Sequence, residues 1–272
     1  MKWKWPRLAG FLLIGMSSCT PLKEVNSFAL ASQITMDKAA AFDGYGRWDF
    51  CYDSVIVYTD TAQQLWQYDC DCGHGTAADT MQRHAFNIMS AYFAALAKLA
   101  DAHTVIKTSP LSTAVAAGTY GSATISSTEA GIFSALVTAA QDLLTNNYKS
   151  KKIKEVLQTY HDTVYRALGT LMLLTRNSKD LIRVMSNRFR AKMDTLVEKA
   201  PSNGVRLALV SLYREKRLRW QQAMADDDRR YLALEKIQEG HEDLFNSANN
   251  LREAGFKKKV LGLAQNIIYL SQ

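Results

Sequence analysis

The chain has 272 residues, 47% of them hydrophobic and 22% charged, with a formal net charge of +7. An apolar fraction of this size with charges of both signs excludes a mainly disordered chain, and four Cys in this length exclude a disulfide-framework miniprotein. Fourteen Gly and four Pro fall below the usual share, about 12% together, and lean the chain towards helix.

The N-terminus reads as a targeting segment. Lys2, Lys4 and Arg7 precede an uncharged, mostly apolar run over residues 8–16. As a helix that run would span about 14 Å, short of the roughly 30 Å hydrocarbon core of a bilayer. A signal peptide is therefore expected rather than a membrane-spanning anchor.

The tetrapeptide Met16-Ser17-Ser18-Cys19 resembles the lipobox of bacterial lipoproteins: a hydrophobic residue, two small residues and then Cys. Met16 stands where Leu is usual, and the resemblance covers only the first 20 residues. It implies that Cys19 takes a diacylglyceryl group, becomes the first residue after cleavage and is N-acylated. Three acyl chains make a stable anchor, since each buried CH₂ contributes about 0.8 kcal/mol. Thr20 rather than Asp after the Cys implies an outer-membrane protein facing the periplasm. Removal of residues 1–18 takes away three positive charges and lowers +7 to +4. Much of the basic balance is then a targeting device, and no nucleic-acid partner is expected.

Residues 19–27 read as the lipidated tether. Residues 28–78 read as an Ala-rich helix followed by an irregular segment rich in Cys and aromatics, including Trp48 and Trp66. The run over residues 55–58 is β-branched and suits a short strand or a buried turn equally. Cys51, Cys70 and Cys72 are disulfide candidates in an oxidising compartment, Cys51 pairing with one of the other two. A single bridge would close a loop of roughly 20 residues, worth on the order of 3 kcal/mol. Cys51, Cys70, Cys72 and His74 also supply the donor types that zinc takes, but without the Cys-x-x-Cys spacing that lets one turn aim two sulfurs. No metal and no cofactor are expected. Trp48 and Trp66 are candidate partner-contact residues, because Trp and Tyr dominate binding hot spots.

Residues 79–272 predict an elongated antiparallel helical bundle, all-α, because only Pro110 and Pro201 interrupt the chain after Pro21. In residues 79–103, Met81, Ala85, Ile88, Tyr92, Leu96 and Leu99 predict one apolar stripe. Residues 108–141 carry a single charge, Glu129, and read as a close-packed loop followed by a buried helix over 128–146. A membrane-active hairpin is the alternative there, although no run is continuously apolar over about 20 residues.

The clearest signal follows. Ile153, Leu157, Tyr160, Val164, Ala167, Leu171, Leu174, Ser178, Leu181 and Met185 recur in steps of four and three, and Phe189, Met193 and Leu196 continue after a change of step. This predicts one long coiled-coil-like helix. Residues 201–204, Pro-Ser-Asn-Gly, predict a sharp turn and an antiparallel return. In the returning helix, residues 214–220 and 226–230 read as solvated charged faces. Residues 246–270 predict the closing helix.

No phosphate-binding loop, dinucleotide fingerprint, zinc-protease helix or nucleophile elbow occurs. The five His are scattered, and His161-Asp162 and His241-Glu242 are sequence neighbours whose side chains diverge on a helix. The expected function is a non-catalytic interaction or scaffold component, lipid-anchored and facing the periplasm, with a protein partner in the envelope and no small-molecule substrate. Alternatives are an immunity or inhibitor lipoprotein acting against a periplasmic toxin, and a membrane-active helical protein using residues 108–141.

Overall fold

The computed structural model describes residues 22–41, 73–101, 103–105, 115–120, 123–145, 150–251 and 253–271. Of these, 87% are helical, in six helices, and the architecture is the all-α bundle of long helices that the Pro-free blocks and the apolar periodicity predict.

Helix α1 is Lys23–Ala40, with Glu24 in its first turn and Lys38 in its last, each opposing the partial charge of its helix end; it begins inside the segment 19–27 expected as a tether, because Leu22 and Val25 are apolar and pack into the core. It runs antiparallel to α2, Gly73–Ala100. The Leu22 amide donates to the Ala100 carbonyl at 3.2 Å, and Asn26 reaches the Ala97 carbonyl at 2.9 Å. Two features of α2 depart from the sequence expectation. It starts six residues before position 79, and it has no single stripe: Phe86, Met89, Phe93 and Ala97 are as deeply buried as Tyr92 and Leu96. A helix apolar on every side is the centre of a bundle, and α2 packs against α1, α3 and α4.

Residues 118–120 and 123–125 form an antiparallel pair of short strands where the sequence predicts a loop. Strand β1 is Gly118–Tyr120 and β2 is Ala123–Ile125, with Thr119 opposite Thr124. Helix α3, Ser127–Thr145, lies where a buried helix is predicted. Its start is a reciprocal cap: the Ser126 amide donates to Glu129 Oε2 at 2.7 Å, and the Glu129 amide donates to Ser126 Oγ at 3.2 Å. The one charge of this region is thus a capping residue.

Helix α4 is Ser150–Glu198, 49 residues, about 73 Å long at 1.5 Å per residue. It is continuous through Asn177 and Ser178. The predicted seam is buried or half-buried from Ile153 to Met193, and Leu196 is exposed. Helix α5 is Asn203–Asn246, and the Ser202 side chain caps it by accepting from the Val205 amide at 3.3 Å. The chain returns along α4 as the turn at 201–204 predicts. Helix α6, Ala254–Leu270, buries Phe256, Val260, Leu263, Ala264 and Ile267 against α1 and α5, while Leu261 and Ile268 face solvent.

The main core draws on all six helices, but it uses α4 only up to Leu174 and α5 only from Leu234. One close approach in it depends on Gly240 of α5. A methyl there would overlap the Phe28 ring of α1, 2.7 Å from its Cζ, so the absence of a Cβ lets an aromatic ring rest on the helix backbone.

Candidate interaction surface

Beyond Leu174 the two longest helices leave the main core and, among the described residues, form an apolar cluster of their own. Their own cluster is Ile182, Phe189, Met193 and Trp220, with Leu209, Tyr213, Ala223 and Met224 packed against it. The Trp220 ring meets Phe189 edge-on at 5.1 Å, and Tyr213 lies 6.5 Å from the same ring. Trp220 belongs to a segment read from sequence as surface helix; it is 6% exposed, and Lys216 one turn before it is buried too. The reason is periodicity. Residues 209, 213, 216, 220 and 224 fall on one side of α5, and the charges between them lie outside.

A polar layer separates the two cores. Thr175 and Ser178 of α4 are fully buried, and Asp227 of α5 is 1% exposed. Arg230 Nη1 lies 3.1 Å from Asp227 Oδ1. The acidic run at 226–228 is therefore not wholly a solvated face, as the sequence suggested. Asp227 and Arg230 point inward, while Asp228 pairs with Lys179 at 2.6 Å on the surface. Burial pushes the Asp227 carboxyl up to about 6, against the opposing pull of Arg230 and, less, of the Ser178 hydroxyl.

From this layer to the turn at Pro201, α4 runs roughly 30 Å, and a two-helix rod can bury only one side of each helix. The first turns of α5 nevertheless carry apolar residues on several sides. Leu209 and Tyr213 face inward, whereas Val205, Leu207, Val210 and Leu212 are exposed, Leu207 by 70%. Leu218, a further two turns along, is 58% exposed, and Leu196 adds to the patch from the end of α4. The same stretch is basic. Residues 183–219 hold ten Lys and Arg against Asp194, Glu198 and Glu215, a net +7, while the rest of the chain after residue 18 is net −3.

A second polar feature lies inside the main core. His161 of α4 stacks on Phe245 of α5, ring centroids 3.9 Å apart, and its ring is 5.6 Å from that of His241. The Tyr92 hydroxyl on α2 is 3.1 Å from His241 Nε2. Burial, and secondarily His161, push the His241 ring down to about 3, and burial pushes the Tyr92 hydroxyl well up. A neutral imidazole and a protonated phenol therefore share one hydrogen bond, whose direction follows the imidazole tautomer. Two of the five scattered His thus converge, which no spacing in the sequence signals, because α4 and α5 meet only in the folded hairpin. Two surface depressions accompany these features. One of about 220 Å³ lies where α1 and α6 end, beside Lys38, Arg229 and Arg230, and one of about 430 Å³ is a shallow groove between α5 and α6.

The residues singled out from sequence are not among those that build these features as described. Cys19, Trp48, Cys51, Trp66, Cys70 and Cys72 are outside the described residues, and His74 falls in the first turn of α2 with its side chain outside them. Among the described residues no three His, Cys, Asp or Glu are placed to hold a metal ion, and no helix is long and apolar enough to cross a membrane. Within residues 108–141, Phe133, Leu136 and Ala139 of α3 are buried in the main core. No family model, curated protein or solved structure matches the chain.

Proposed function

We propose that this chain is a lipid-anchored, periplasm-facing envelope protein that acts without catalysis, by holding or positioning another envelope component. The observation that carries the reading is the distal hairpin, whose own cluster buries four residues and whose end leaves Leu207, Val210 and Leu218 in solvent. These side chains stand outside the buried cluster, and large apolar groups gathered in solvent on one stretch mark a site of interaction. A rod of paired helices offers an extended contact face, unlike the concave apolar cavity in which small molecules bind. The lipobox resemblance at Cys19 supplies one fixed end, three residues before Leu22 joins the core and four before α1 begins. The aromatic segment with Trp48 and Trp66 offers a second contact, suited to a protein partner.

The test is crosslinking in intact envelopes. The parent protein is expected to capture a discrete protein partner, and Trp48→Ala with Trp66→Ala is expected to lose it at an unchanged melting temperature. A lowered melting temperature would assign both Trp to a local core. Recovery of no partner by the parent protein would end the scaffold reading.

A further inference from the structure

We propose that the free end of the α4–α5 hairpin docks on an anionic phospholipid surface, with the first turns of α5 entering the boundary between headgroups and acyl chains. The proposal names the partner of the surface on which the interaction reading rests, and it depends on that reading.

Three observations favour this occupant. The first is charge. Residues 183–219 are net +7 on a chain whose remaining mature part is net −3, so the molecule is electrically polar and its positive pole is the hairpin. An anionic surface attracts such a pole, and each Lys or Arg near it contributes to the attraction. The second is the order of the side chains along the rod. Val205, Leu207 and Val210 come first after the turn; Arg206 among them turns back to the Val197 carbonyl at 3.4 Å, and Arg214, Arg217 and Arg219 follow one to three turns behind. Residues 203–210 rise about 10 Å, which matches the depth to which an apolar face enters the interface, about 5–10 Å. The arginines then stand at headgroup level, where their apolar stems can lie along the boundary.

The third observation is the arrangement around the helix axis. Leu207 and Leu212 are both exposed, yet at 100° per residue they leave α5 on well-separated sides. A protein groove that takes up a helix covers one stripe of it, whereas a fluid boundary surrounds a tip from every side. A second copy of the chain fits less well, because two hairpins laid together would each bring the same net +7. Glu198 is the one acid next to the turn, and Lys199 follows it directly.

The test uses the full chain carrying Cys19→Ala, so that acyl chains do not mask the hairpin. Flotation is measured with vesicles of phosphatidylcholine and with vesicles in which roughly a third of the lipid is phosphatidylglycerol. Neutral vesicles report any background from residues 8–16. Binding to the anionic vesicles is expected to be at least about tenfold tighter, and to weaken towards the neutral level at about 0.5 M salt. Leu207→Asp with Val210→Asp is expected to abolish the difference at an unchanged helical content. Should that variant unfold, Arg214→Glu with Arg217→Glu, both exposed, is expected to do the same without touching the hairpin core.

Equal binding to both vesicle types overturns the proposal. So does a Leu207→Asp, Val210→Asp variant that is folded and binds as the parent does. If the same positions instead crosslink to an acidic envelope protein, or mediate a dimer in sedimentation, while vesicle binding is unaltered by the variants, the hairpin end is a protein contact and the lipid assignment is wrong. Capture of a partner through Trp48 and Trp66 is measured separately, so failure on vesicles leaves the scaffold reading standing or fallen on its own test.

Discussion

Asp227 and His241 are two buried titratable residues on one helix, and they respond to acid in opposite directions. The folded Asp227 carboxyl holds its proton up to about pH 6, against an ordinary 3.8. Its protonated form therefore favours the fold, a contribution complete below about pH 4 and lost as pH rises through 6. The folded His241 ring refuses a proton until about pH 3, against an ordinary 6.5. The unfolded ring is protonated first, so this contribution is complete above about 6.5 and is lost as pH falls. Between pH 7 and 5 each is worth roughly 1–2 kcal/mol, with opposite sign. The parent protein is expected to show little change in stability over that range. Asp227→Asn is expected to lose stability on acidification and His241→Gln to gain it, measured by urea unfolding at both values. Parallel behaviour of the two variants would show that these groups do not set the balance. The Tyr92–His241 hydrogen bond is the reason to use Gln, whose side-chain amide can still donate to or accept from the phenol.

At the scale of elements, the contact between α1 and α5 turns on one missing side chain. Gly240 is mid-helix, where Ala ordinarily adds about 1 kcal/mol of helix stability. Here the added methyl meets the buried ring of Phe28, and a rigid aromatic in a filled core has nowhere to move. Gly240→Ala is expected to destabilise by about 1–3 kcal/mol, and Phe28→Leu combined with it is expected to recover part of the loss. Thermal unfolding of the single and double variants checks this; a raised melting temperature for Gly240→Ala alone would show that propensity outweighs the contact. The hairpin is built differently. Its cluster of Ile182, Phe189, Met193 and Trp220 is small, and the polar layer of Thr175, Ser178 and Asp227 separates it from the body. Local opening of the hairpin is thus the expected low-energy excursion of this fold.

For the whole molecule, the two proposals give it two attachment points of different chemistry. One end is Cys19, proposed to carry lipid; the other is the basic, apolar-tipped hairpin. Cys19→Ala is expected to move the protein out of the membrane pellet on cell fractionation at raised salt, where screening weakens the hairpin's attraction to anionic lipid. A variant that stays in the pellet as fully as the parent under those conditions would refute the anchor. At low salt the hairpin alone is expected to leave part of the variant membrane-bound, so the two ends are separable by ionic strength.

The long helices were legible before any coordinates because their causes are local. A seam in steps of four and three, no Pro between positions 111 and 200, and Pro-Ser-Asn-Gly at 201–204 each act through neighbouring residues, and α4, the turn and α5 follow. The Ser126–Glu129 cap is equally local, a Ser followed three residues later by Glu. What the linear pattern could not convey is which face of each helix meets a neighbour. Residues 226–230 look like a solvated run, yet only packing against Ser178, 49 residues before Asp227 and on another helix, makes Asp227 a buried group. His161 and His241 are 80 residues apart, and their meeting exists only once α4 and α5 lie side by side on α2. The exposed leucines are the same case in reverse. Nothing in the run Val-Arg-Leu-Ala-Leu-Val tells buried from exposed, because exposure there is decided by where the main core stops, near Leu174 and Leu234, and that boundary belongs to the tertiary arrangement of six helices.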